Sequence, residues 1–188
     1  PIDLDLMALL RASARLHTAE CETAPVMAYL LDRFENLLTE RGAKWDSIRA
    51  IRARPSGIHN LWTALQDIKS LDRFRETDAS ALVITAQKRV QNIIDKAEPS
   101  ATGTINPAHF NVPVEAQLIN CITSIEAVRT ESIDIRLANV ADSAETIDSY
   151  FKEVMVMDEN LAIRENRLNT LSHLNQVLTD IAAFNLLQ

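Results

Sequence analysis

From Leu82 to Ala97 the apolar side chains Val83, Ala86, Val90, Ile93, Ile94 and Ala97 recur three or four positions apart. That interval returns to one side of an α-helix at every turn, whereas a strand repeats its faces every second residue. Thr85, Arg89, Asn92 and Lys96 fall on the opposite stripe, with Lys88 beside them. Leu168, Leu171, Leu174, Leu178 and Ile181 repeat the pattern near the C-terminal end. No segment alternates convincingly with period two, so a sheet is not expected. The periodicity predicts an all-α helical bundle of about eight helices, over 3–20, 25–41, 45–53, 58–75, 78–97, 113–129, 131–140 with 143–156, and 160–184.

Local signals set the predicted boundaries. Pro25 suits the first turn of a helix that Gly42 closes. Asp142 and Glu145 have capping-box spacing, and Asp158 is placed to cap the last helix. The main interruption is 98–112, where Pro, Gly, Ser, Thr and Asn cluster into a long loop. With 188 residues and 47% apolar content, one helical domain over 1–188 is expected, with possible lobes 1–97 and 113–188 joined by loop 98–112. Trp45, Trp62, Met155 and Met157 are assigned to core packing because each lies in an apolar pattern.

Several chemistries find no support. Cys21 and Cys121 are a hundred residues apart with no CxxC or Cys/His spacing, so both are read as reduced thiols in apolar segments and no metal site is expected. No P-loop, nucleophile elbow, dinucleotide fingerprint or HExxH occurs. His17, His59, His109 and His173 are scattered without helical pairing and are read as surface or capped residues. No catalytic residue is assigned. No run is long and apolar enough for a membrane span, and no secretory signal pattern opens the chain. Because the chain starts at Pro1 rather than methionine, it is read as a piece of a longer one.

The net charge of -7 argues at first against a nucleic-acid partner. Divided along the chain it means something else. Residues 1–40 carry a net -4, residues 97–163 a net -8, and residues 41–96 a net +5 from eleven basic and six acidic side chains. An acidic body with one basic stretch is a local electrostatic footprint. Arg49 and Arg52 share one side of a short helix, Arg54 follows at its end, and Arg73, Lys88, Arg89 and Lys96 continue the stretch. Arginine forks onto phosphate and stacks on bases, which makes this stretch the candidate nucleic-acid site. The competing reading is a helical protein–protein interaction module with no direct RNA contact, its basic face merely solvated.

Two segments carry a resemblance. Ser149 to Asp158 (SYFKEVMVMD), continuing as Leu161 to Leu171 (LAIRENRLNTL), resembles the FFDxVMVM and LRxNRLxLL signature that closes the β subunit of bacterial two-subunit glycyl-tRNA synthetase. Ala86 to Lys96 (AQKRVQNIIDK) is similar to that family's ANKRVxNILxK helix. Tyr29 to Phe34, running on to Arg41 and Gly42, resembles its FLxxRLxxxLxxxG segment, and Leu186 to Gln188 resembles its C-terminal end. Gln87 stands where the motif has asparagine, Asp95 adds an acid beside Lys96, Tyr150 replaces a phenylalanine, and loop 98–112 is longer than the family's connection.

The resemblance implies an all-helical anticodon-binding domain of the DALR type, shared with arginyl-tRNA synthetase. It further implies a cytoplasmic β subunit that binds glycine tRNA and works with α subunits as a heterotetramer. ATP and magnesium would serve the whole enzyme, with adenylate chemistry in the α subunit and no cofactor in this chain; neither DNA nor a membrane is an expected partner. Under this reading Arg49, Arg52, Arg54, Arg73, Lys88, Arg89, Asn92 and Lys96 border the tRNA, the cations on phosphates and Asn92 at a base edge. Asn166 and Arg167, in the RxNRL motif, are either further contacts or braces for the final helix.

Overall fold

The structure, a computed structural model, describes residues 4–16, 22–97 and 103–188. Among the described residues eight α-helices follow one another: α1 (Leu6–Ala14), α2 (Thr23–Glu40), α3 (Trp45–Arg52), α4 (Leu61–Phe74), α5 (Asp78–Lys96), α6 (Pro113–Ala127), α7 (Ile133–Glu153) and α8 (Leu161–Thr179). Two 3-10 turns, Pro107–His109 and Phe184–Leu186, complete the regular structure. No strand occurs among the described residues. Side-chain oxygens of Asp5, Asn60 and Asn160 accept the first free N–H groups of α1, α4 and α8. Arg41 ends α2, and Gly42 then turns the chain at φ 88°, a conformation that costs any other residue its Cβ clearance.

The apolar stripe of α5 lies at the centre. Val83, Ala86 and Val90 are buried against α7 and α8, and α5 also packs on the C-terminal 3-10 turn. α6 covers α7 and α8, α4 joins α3 to α7, and α1 packs on α2 at the periphery. One continuous core results, drawing Ile48, Ile51, Ile68 and Leu71 from before the 98–112 segment and Leu118, Ile147, Leu171 and Leu174 from after it. Each such side chain contributes about 1.5–3 kcal/mol of burial, so truncating Leu171, which has no exposed surface, costs about 2–5 kcal/mol.

Several expectations are corrected. The proposed break near 140–143 is absent: α7 is continuous, because Leu137, Val140, Ala144, Ile147 and Tyr150 keep one buried stripe across it. The Asp142 and Glu145 capping signal is overridden by that packing. The last helix ends at Thr179 rather than 184, and its cap is Asn160; Asp158 instead accepts the Asn160 N–H. α1 is shorter than 3–20, and residues 17–21, with His17 and Cys21, lie outside the described residues. Trp45 and Trp62 are not core anchors but about half exposed (56% and 51%), and Met155 and Met157 are likewise exposed, at 68% and 54%. The 154–160 connection is held by its backbone, so its alternate side chains, Val154 and Val156, take the core and the methionines face water.

Candidate nucleic-acid interface

On α5 the buried stripe leaves Thr85, Lys88, Arg89, Asn92 and Lys96 exposed along the opposite side of the helix, one turn apart. None of the three cations is ion-paired to a carboxylate among the described residues. Lys88 donates from Nζ to the Leu187 carbonyl at 2.7 Å, which fixes the ammonium and leaves two of its donors for another acceptor. The Arg89 guanidinium lies over the Phe151 ring, 4.7 Å from its centre, a cation–π contact. Arg49 does the same on α3, 4.6 Å from the Trp45 ring.

The remaining basic candidates are already engaged. Arg52 ties α3 to α2 through Asp32 and Glu35. The hydrogen bond to Glu35, helped by the one to Asp32, holds its proton more firmly than usual, against the effect of burial. Arg54 is largely buried and pairs with Asp67 at 2.7 Å. Arg73 reaches Asp134 on α7 at 2.9 Å, but that pair is about two-thirds exposed. The cation candidates therefore separate into Arg49, Lys88, Arg89 and Lys96, which carry unbalanced charge, and Arg52, Arg54 and Arg73, which are matched. Arg54 and Arg73 line one cleft, apart from the α5 stripe.

Asn166 and Arg167 are both buried. Asn166 Oδ1 accepts the Asn106 N–H at 2.7 Å, and Asn169 Oδ1 accepts that of Gly103 at 3.2 Å, so α8 holds the described end of the 98–112 segment. Arg167 donates to Glu115 and Asp158, each at 2.8 Å, and to the Met155 carbonyl at 3.0 Å. Burial opposes ionisation of Glu115, yet Arg167 and the N–H groups of Asn111 and Val112 hold its carboxyl below the usual range. Both motif residues thus tie α8 to the segments before α6 and after α7.

Three features were not legible in the sequence. Gln87, with no exposed surface, accepts the Asn185 N–H at 2.8 Å and donates to Thr179 at 3.0 Å. Asp46 accepts the Gln188 N–H at 2.9 Å and pairs with Arg75 at 2.6 Å. Between them the C-terminal segment is threaded from α3 to α5. The third is Arg136, which lines the cleft of Arg54 and Arg73 and stood outside every basic stretch. Among the described residues no group of three or more His, Cys, Asp or Glu could hold a metal ion, and no helix is long and apolar enough to cross a membrane.

Comparison with known proteins gives this geometry a context. The chain is 30% identical to the glycine–tRNA ligase beta subunit of Photorhabdus laumondii over 196 aligned positions. It is 32% identical to that of Serratia proteamaculans and 30% to that of Pectobacterium carotovorum. All of the chain is covered in each case, and it spans about 28% of the length of these relatives. A model of the DALR anticodon binding domain matches residues 83–187, from the first turns of α5 to the docked C-terminal segment. With more than half of its residues in that match and an all-helical fold around α5, the chain belongs to the DALR anticodon-binding domain family.

Proposed function

We propose that the chain binds the anticodon loop of glycine tRNA and, as part of a glycine–tRNA ligase beta subunit, helps attach glycine to that tRNA. The observation that carries this reading is the exposed α5 stripe of Lys88, Arg89, Asn92 and Lys96, whose cations lack carboxylate partners among the described residues. Anticodon loops present closely spaced phosphates and unstacked bases, which such cations and an amide can engage. Arg49 on Trp45 extends the reading to α3. Arg52 and Arg54 then act by holding α2, α3 and α4 in place, and Asn166 and Arg167 by bracing α8 against its neighbouring segments. The names of the relatives support the choice of glycine tRNA.

The reading extends to the whole enzyme. ATP and magnesium would be used by the partner α subunit in a cytoplasmic heterotetramer, and anticodon contacts made here would position the distant acceptor end for reaction. Titration of the chain with glycine tRNA at several salt concentrations tests the proposal. Affinity should fall when either cytosine at the second or third anticodon position is changed. Equal binding of all tRNAs would refute base reading and retain only charge attraction.

A second reading, contact with protein, is favoured at one place. α1 buries no residue, and α2 buries only Met27 and Leu38, leaving Leu9, Val26, Tyr29 and Leu37 exposed. If the chain fails to bind tRNA at low salt, the protein-contact reading is the one that remains.

A further inference from the structure

Beyond the α5 stripe, the length of α4, the connection before it and the first turn of α7 line a cleft of about 620 Å³, within the size range of small-molecule sites. Three arginines line it: Arg54, Arg73 and Arg136. They are not equally satisfied. Arg54 is held by the buried carboxylate of Asp67, which stays in place. The Arg73 and Asp134 pair is exposed to water on both sides and opens readily. Arg136 donates to the Asp180 carbonyl at 2.9 Å, while its Nε is buried with no acceptor among the described residues. Burial disfavours its charge, and the nearby Arg54 disfavours it further. Glu131, Asp134 and Asp67 also line the cleft and offset part of this positive field.

The rim carries an aromatic surface as well. Trp62 is half exposed and lines the same cleft, and no ring or guanidinium stacks on it among the described residues, unlike Trp45 beneath Arg49. Ser132 makes no side-chain capping bond, so the first N–H groups of α7 at the cleft wall add to its preference for an anion. An indole face beside guanidinium groups and a helix start matches a base joined to a phosphate better than either alone.

We propose that this cleft takes one unstacked nucleotide of a bound RNA loop, its base on Trp62 and its phosphate between Arg73 and Arg136. The inference rests on the RNA-binding reading and adds a second contact to it, separate from α5. Arg73 exchanges Asp134 for the phosphate, and Arg136 adds positive charge across the same cleft.

The chain has two tryptophans, so Trp45→Phe leaves Trp62 as the sole indole reporter. A dye-labelled hairpin with the anticodon stem and loop of a glycine tRNA is titrated into this variant, following dye anisotropy and indole emission together. The proposal expects Trp62 emission to be quenched along the anisotropy curve. Arg73→Glu should weaken binding roughly tenfold and remove most of the quenching. Lys69→Glu, an exposed charge reversal on α4 outside the cleft, should retain the quenching and so separate net charge from the site. Rising anisotropy with unchanged Trp62 emission, and with Arg73→Glu behaving as Lys69→Glu, would overturn the cleft contact and leave RNA binding intact. Equal quenching by inorganic phosphate alone would overturn the base contact. No anisotropy change at low salt would overturn the RNA-binding reading, and the cleft contact with it.

Discussion

Arg167 donates through Nε to Glu115 at 2.8 Å, and the two side chains retain only 5% and 2% of their surface. The pair joins three parts of the fold: α8, the start of α6 and the 154–158 connection. Removing one partner strands a buried charge. Glu115→Ala should therefore lower unfolding free energy by about 3–5 kcal/mol in urea titrations. The double variant Glu115→Leu with Arg167→Met should lose less than either single change, because no charge is then left buried. A double variant that loses the sum of both singles would show that the two side chains act independently.

The same pair sets an acid limit. The Glu115 carboxyl is held below its ordinary value of 4.5, so its stabilising contribution is complete above that pH and is lost as pH falls through the lower, folded-state value. Asp46, opposed by burial but held down by Arg75, Gln188 and Ser47, acts in the same direction. Stability measured by thermal melts should decline below about pH 4.5 and stay flat above it as far as these groups are concerned. In Glu115→Gln the protein should be weaker at neutral pH, and its decline on acidification shallower.

Gln87 predicts a different outcome, local rather than global. Its amide links the Asn185 backbone to Thr179 and Asn175, and Gln87 itself has no exposed surface. Gln87→Ala leaves the Asn185 N–H and the Thr179 hydroxyl without this partner, a loss of about 1–3 kcal/mol. Hydrogen exchange should show the Asn185 amide losing protection while the amides of α7 keep theirs.

Tyr150 stands where the family motif has phenylalanine, and the structure gives this substitution a cost. The ring is fully buried and meets Phe151 edge to face at 5.6 Å, but its hydroxyl has no hydrogen-bond partner among the described residues. Burial, aided by the charge of Glu115, pushes the phenol above its usual pKa, so it stays neutral. Tyr150→Phe keeps the ring packing and removes a dry hydroxyl. It should raise stability by about 1 kcal/mol, read as a higher urea midpoint with the slope unchanged.

Helices were legible because their signal is local: the α5 stripe of Val83, Ala86 and Val90 is written within one segment and is buried as its period requires. Pairing was not, because it joins distant residues. Nothing near Arg73 announces Asp134, and nothing near Arg167 announces Glu115. Charge counts over 41–96 therefore marked a basic stretch without distinguishing Arg54, which is neutralised by Asp67, from Arg89, which is not. Met155 and Met157 were misread for a related reason. Apolar identity speaks for burial on average, but Arg167 grips the backbone at Met155, and the alternation of an extended segment then buries Val154 and Val156 instead.

That sorting of matched from unmatched cations gives the last prediction its form. A cation that already has a carboxylate partner releases few counterions when RNA arrives, whereas an unpartnered one contributes close to a full phosphate neutralisation. Arg89→Ala and Lys96→Ala should each weaken tRNA binding at all sequences and flatten the slope of log affinity against log salt by roughly one unit or slightly less. Arg52→Ala, whose guanidinium is held by Asp32 and Glu35, should change the slope little and show its effect in stability. Asn92→Ala carries no charge, so its signature is reversed: an unchanged slope with a narrower difference between cognate and altered anticodons. If Asn92→Ala weakens all tRNAs equally, its amide holds the backbone, and base reading must come from other groups along α5.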